Sequence, residues 1–86
     1  MEKTIRIGRY APETGIQLEW LDGYELSVEI RNSEVVLRGN SAGLLSLAQH
    51  LATLAADVVP SGSHLHLDQY NGLEDGSGEL VLERIE

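Results

Sequence analysis

The sequence contains no cysteine and no phenylalanine, and only two prolines, one tryptophan and three tyrosines. Without cysteine there is neither a disulfide nor a thiolate zinc site to stabilise a small fold, and the chain suits a reducing cytosol. Basic residues are scarce as well. Six Lys and Arg, with Lys3 the sole lysine, stand against fourteen Asp and Glu, for a net charge of −8. That balance argues against a nucleic-acid binder and against an anionic-membrane binder. It permits a basic protein partner, although acidity also serves plain solubility. Long apolar runs are missing too. The longest, Ala42 to Val59, is interrupted by Ser46, Gln49, His50, Thr53 and Asp57, a pattern of an amphipathic helix and not of a membrane span. The first eight residues lack the apolar core of a signal peptide.

The 86 residues read as a single domain, 1–86, because neither half could build a core alone. Residues 2–9 alternate Ile5 and Ile7 against Thr4 and Arg6, which predicts a first strand, and the Pro12- and Gly15-bearing stretch after it predicts a turn. Ile16, Leu18 and Trp20 alternate with Gln17 and Glu19. Asp22-Gly23, a strong turn dipeptide, then joins this stretch to Leu26, Val28 and Ile30, so a hairpin is predicted over 16–31. Asn32-Ser33 is a second tight turn, and Glu34–Arg38 a fourth strand.

A helix is predicted from about 41 to 57, capped by Asn40 or Ser41. Leu44, Leu47, Leu51, Leu54 and Val58 recur at helical spacing as its inward stripe, with Ser46, Gln49, His50, Thr53 and Asp57 on the opposite, solvated face. Pro60 to Ser63 turns the chain. His64–Asp68 and Glu79–Arg84 predict two final strands around a polar loop. The order ββββ-α-ββ predicts an α+β fold, a mostly antiparallel sheet of about six strands with one helix packed on one face. Glu19, Glu25, Glu29, His64, His66 and Asp68 are expected on the face that the helix leaves uncovered.

Several residues invite chemistry. His64-x-His66-x-Asp68 has the residue types of a metal site, but successive same-face positions on a flat strand lie about 6.6 Å apart, too far to converge on one tetrahedral ion. It resembles the start of the metallo-hydrolase signature His-x-His-x-Asp-His, with Gln69 in place of the last histidine. An exposed polar strand face is the simpler reading, and a small metal- or ligand-binding domain on this strand is the alternative. Ser, His and Asp occur without a Gly-x-Ser-x-Gly elbow, and Glu74-Asp75 sits in a glycine-bearing loop without apolar surroundings. No catalytic set is assembled, so no enzyme activity and no cofactor are expected. His50 is expected exposed. Trp20, in phase with Ile16 and Leu18, is expected in the core, with a half-exposed position at a partner interface as its second reading.

Three blocks carry a resemblance. Gly39-Asn40-x-x-Gly43-Leu44-x-x-Leu47-Ala48, then Gly62-x-His64-x-His66-Leu67-Asp68, then Gly76-Ser77-x-Glu79-Leu80 look like immunity protein 32 of bacterial polymorphic toxin systems, over residues 36–84. The resemblance implies a small cytosolic α+β protein that neutralises a cognate toxin by binding it, without enzymatic activity. Toxins of such systems include nucleases, whose surfaces are usually basic, and an acidic inhibitor suits one. Glu19, Glu25, Glu29, His64, His66 and Asp68 are then the contact candidates, with Trp20 as an anchor. A homodimeric module pairing through an open sheet edge is a third reading.

Overall fold

A computed structural model describes residues 3–86, so Glu2, the expected start of the first strand, lies outside the described residues. The elements are β1 (Arg9–Ala11), β2 (Gly15–Gln17), β3 (Leu26–Arg31), β4 (Glu34–Gly39), α1 (Ser41–Leu54), β5 (His64–Leu67) and β6 (Leu80–Glu83). The fold is α+β with the order ββββ-α-ββ. The six strands are not joined in one sheet. They form three antiparallel pairs, β1–β2, β3–β4 and β5–β6.

The N-terminal third differs most from its sequence pattern. Residues 3–8 form no strand, although Ile5 and Ile7 alternate with polar neighbours. The first hairpin turns at Pro12-Glu13-Thr14, where the Thr14 N–H donates to the Ala11 carbonyl at 3.1 Å. Asp22-Gly23 is a turn, with Gly23 at φ +73°, but not a hairpin turn, because β2 pairs back with β1 and β3 forward with β4. Leu18 and Trp20 leave β2 and pack against the core instead.

The helix is rotated from the expected orientation. Leu47 and Leu54 are buried, but Leu44 and Leu51 are nearly half exposed and Val58, past the helix end, is more so. The face expected in solvent, Ser46, Gln49, His50 and Thr53, is buried. The reason is backbone satisfaction. The Arg6 N–H donates to Gln49 Oε1 at 3.1 Å, the Gly8 N–H to Thr53 Oγ1 at 2.7 Å and the Leu21 N–H to Ser46 Oγ at 2.9 Å. Two extended residues advance about 6.6 Å and four helical residues about 6 Å, so the segment through Arg6 and Gly8 runs alongside α1 in step with its side chains. Polar side chains on the helix take the place of a neighbouring strand. Gly8 fits between β2 and the helix: a Cβ there would lie 2.6 Å from the Gln17 carbonyl oxygen and 3.1 Å from Thr53 Oγ1.

The core is Leu26, Val28, Leu47, Leu67 and Leu73, with Leu18, Trp20, Tyr24, Leu80 and Leu82 against it. Leu26, Val28 and Leu67 are essentially inaccessible, and burial of each such side chain is worth about 1.5–3 kcal/mol. The pairs are tied together by loops. The Glu74 N–H donates to the Leu26 carbonyl at 2.9 Å, the Gly78 N–H to the Val28 carbonyl at 2.8 Å, and Ser77 Oγ accepts the Val28 N–H at 3.2 Å. Residues 74–78 therefore cover the edge of β3 away from β4 and lead into β6.

Candidate functional site

The corner between β4 and α1 is built by three residues. Asn40 caps the helix: its Oδ1 accepts the Gly43 N–H at 2.8 Å and the Glu25 N–H at 3.0 Å, while its Nδ2 donates to the Gly23 carbonyl at 2.9 Å. The Asn40 N–H itself donates to the Glu25 carbonyl at 3.2 Å. Gly43 lets the first helical turn ride on that same carbonyl, since a Cβ at Gly43 would fall 1.9 Å from the Glu25 oxygen. Gly39 is close-packed to a lesser degree, with Glu25 O and Leu26 Cδ1 each 3.0 Å from where its Cβ would be. A shallow hollow opens beside this corner, with Glu25, Glu74 and Arg38 among its walls. Among the described residues its walls hold no buried polar atom that lacks a hydrogen-bond partner.

Trp20 is half-buried: it packs against the core, as the core reading expects, and the rest of it stays accessible. Its ring stacks on Tyr24 at 4.5 Å between centroids, and Gly72 at φ +92° passes so close that a Cβ there would strike the indole. His50, expected exposed, is 1% accessible and meets the Trp20 ring edge-on. Its Nε2 is buried without a hydrogen-bond partner among the described residues, and burial pulls the imidazole below its ordinary pKa.

His64 and His66 share the outer face of β5, with ring centroids 4.9 Å apart. His66 Nδ1 lies 3.1 Å from Glu79 Oε1, and Glu83 pairs with His64 across the strands. Asp68 is past the end of the strand, where its Oδ1 accepts the Tyr70 N–H at 2.9 Å and its backbone bridges to Asn71 and Gly72. Among the described residues no three His, Asp or Glu side chains converge as metal ligands. Glu29, on β3, lies 3.5 Å from Arg31. Glu19 and Glu25 are exposed on the irregular segment between β2 and β3. The candidate contacts thus occupy several pieces of the fold, because three separate strand pairs offer no single continuous sheet face. Arg84 carried no signal in the sequence, yet its Nη1 donates to the carbonyls of Leu54, Ala56 and Val59 and holds the C-terminal end of α1. Only a contact some thirty residues distant gives it that role.

The three sequence blocks are therefore parts of the scaffold: a helix cap with its close approach, a strand that ends in an Asp68 turn, and a loop whose Ser77 docks on β3. The model of the immunity protein 32 family matches residues 34–85, which spans β4, α1, β5 and β6. No curated protein and no solved structure matches the chain. The match covers more than half of the chain, and so the protein belongs to the immunity protein 32 family, with the general role of an immunity protein and a cognate toxin as its kind of partner.

Proposed function

We propose that the chain neutralises a basic toxin domain, of the nuclease kind, by covering its substrate-binding surface with carboxylates. Glu19, Glu25, Glu29, His64, His66 and Asp68 supply polar contacts in this reading, and Trp20 acts as an anchor whose exposed edge completes them. The observation that carries it is the uncompensated acidity of the surface. Among the described residues every carboxylate except Asp68 is exposed, and Glu29 and Glu79 are the only ones within ion-pair distance of a cationic or ionisable nitrogen. A field of that sign speeds encounter with a basic partner and weakens as salt rises.

The test is binding to the cognate toxin over a salt series, for the parent chain and for an E19K/E25K/E29K variant. The variant should bind more slowly and with a flatter dependence on salt. Unchanged affinity and an unchanged salt slope would remove this surface from the mechanism.

A further inference from the structure

β4 is an open edge. β3 flanks one side of it, and on the other side no backbone hydrogen bond joins it to any described segment. The direction of its backbone groups follows from its turn. Asn32 and Ser33, at φ 48° and 65°, form a two-residue loop closed by the pair Arg31 and Glu34. Such a closing pair is hydrogen-bonded, and hydrogen-bonded pairs alternate along the ladder. Glu34, Val36 and Arg38 therefore turn their N–H and C=O groups towards β3, whereas Val35 and Leu37 turn theirs outward. The side chains of Val35 and Leu37 share the apolar face with Ile30, and that end of the face is uncovered: Ile30 is 63% exposed and Val35 64%.

We propose that this edge pairs with β4 of a second copy of the chain, antiparallel about a twofold axis at Val36. In that register Val35 lies opposite the partner's Leu37, and the outward groups of the two Val35–Leu37 pairs make four backbone hydrogen bonds. Glu34 lies opposite the partner's Arg38, and Arg38 opposite the partner's Glu34. These are the narrow pairs, in which side chains approach most closely and opposite charges attract. Neither Glu34 nor Arg38 has an ion-pair partner within the chain among the described residues. Centring the axis on Val35 or on Leu37 would also align the outward groups, but would take Glu34 out of opposition to Arg38. The product is a four-stranded sheet whose two exposed edges at β4 have disappeared.

Net charge is the obstacle to self-association, and the hairpin avoids it. A chain at −8 repels its copy, yet β3 and β4 together carry Glu29, Glu34, Arg31 and Arg38, two of each sign. The acidic excess lies outside this hairpin. None of Val35, Val36, Leu37, Glu34 and Arg38 belongs to the proposed toxin contacts, so this inference stands independently of them.

Sedimentation equilibrium over a concentration series at physiological salt tests it. The parent chain should form a dimer. E34R and R38E each set like charges against one another at both outer pairs, and each should associate at least tenfold more weakly. An equimolar mixture of E34R and R38E should recover a dimer containing one chain of each, because the opposed charges are again complementary. Circular dichroism should show both variants folded, since both side chains are exposed. V35P adds a variant that removes an outward N–H without touching the β3 ladder, and it should also be monomeric. A parent chain that stays monomeric into the high micromolar range overturns the proposal. A dimer indifferent to both charge reversals, a mixture that stays monomeric, or amide protection on β4 that appears only when toxin is added overturns it equally.

Discussion

The imidazole of His50 meets the indole of Trp20 edge-on, with ring centroids 4.4 Å apart and planes at 78°. This contact joins the middle of α1 to the segment after β2, in a place where His50 is sealed from water and its Nε2 has no hydrogen-bond partner. A proton taken up there would put a charge into the core.

Acid should therefore loosen the fold through this residue. Burial lowers the pKa of His50 in the folded chain, so the unfolded chain takes up the proton at a higher pH. The stability is complete above the unfolded value of about 6.5 and declines as pH falls from there towards the depressed folded value. Denaturant melts from pH 7 to 5 should show this loss. H50L should flatten that slope, and at pH 7 it should raise stability by about 1 kcal/mol, because an unsatisfied buried nitrogen is removed. A slope that H50L leaves intact would assign the acid sensitivity to other groups.

The corner at Asn40 and Gly43 gives a prediction of unusual sign. At an exposed helical position Gly→Ala stabilises by about 1 kcal/mol. Gly43→Ala should instead destabilise by about 3 kcal/mol, since its Cβ would enter the Glu25 carbonyl and the helix must shift. Asn40→Ala should lose about 2 kcal/mol with the cap. Asn40→Asp keeps both accepting bonds and should lose less than about 1 kcal/mol. Urea midpoints of the three variants check the order.

Arg84 should matter to stability rather than to any charge effect. Its Nη1 donates to Ala56 O at 2.6 Å and Val59 O at 3.1 Å while its Nε donates to the Glu86 carbonyl, and the single nitrogen of a lysine cannot serve both sides. Arg84→Lys and Arg84→Met should both lower stability by about 2 kcal/mol, and amide exchange should quicken first in the last turn of α1.

The β3–β4 turn can be improved. Ser33 holds φ 65°, a left-handed conformation costly for a residue with a Cβ, where a two-residue hairpin turn favours glycine. Ser33→Gly should raise stability by about 0.5–1 kcal/mol, read as a higher melting temperature, with β4 otherwise unchanged.

Much of the chain is legible without coordinates, and the parts that are not share a cause. The Asn32-Ser33 turn, the β3–β4 and β5 alternation, the helix with its cap at Asn40 and the α+β order follow from local pattern, because each is fixed by residues within a few positions. The family is legible from short blocks that the fold uses as corners and turns. By alternation the candidate contacts share one face, and the structure distributes them, because the pairing of strands is a long-range matter that alternation does not specify.

What the sequence by itself determined is therefore the order of element types, the positions of the turns, the acidity and the family. Tertiary structure decided which side of the helix is inside. Ser46, Gln49 and Thr53 have the spacing of a solvated face, and they are buried because the extended segments at Arg6, Gly8 and Leu21 carry N–H groups without a strand to receive them. A polar side chain in the interior is stable where it completes a backbone hydrogen bond, and periodicity alone cannot tell that partner from water.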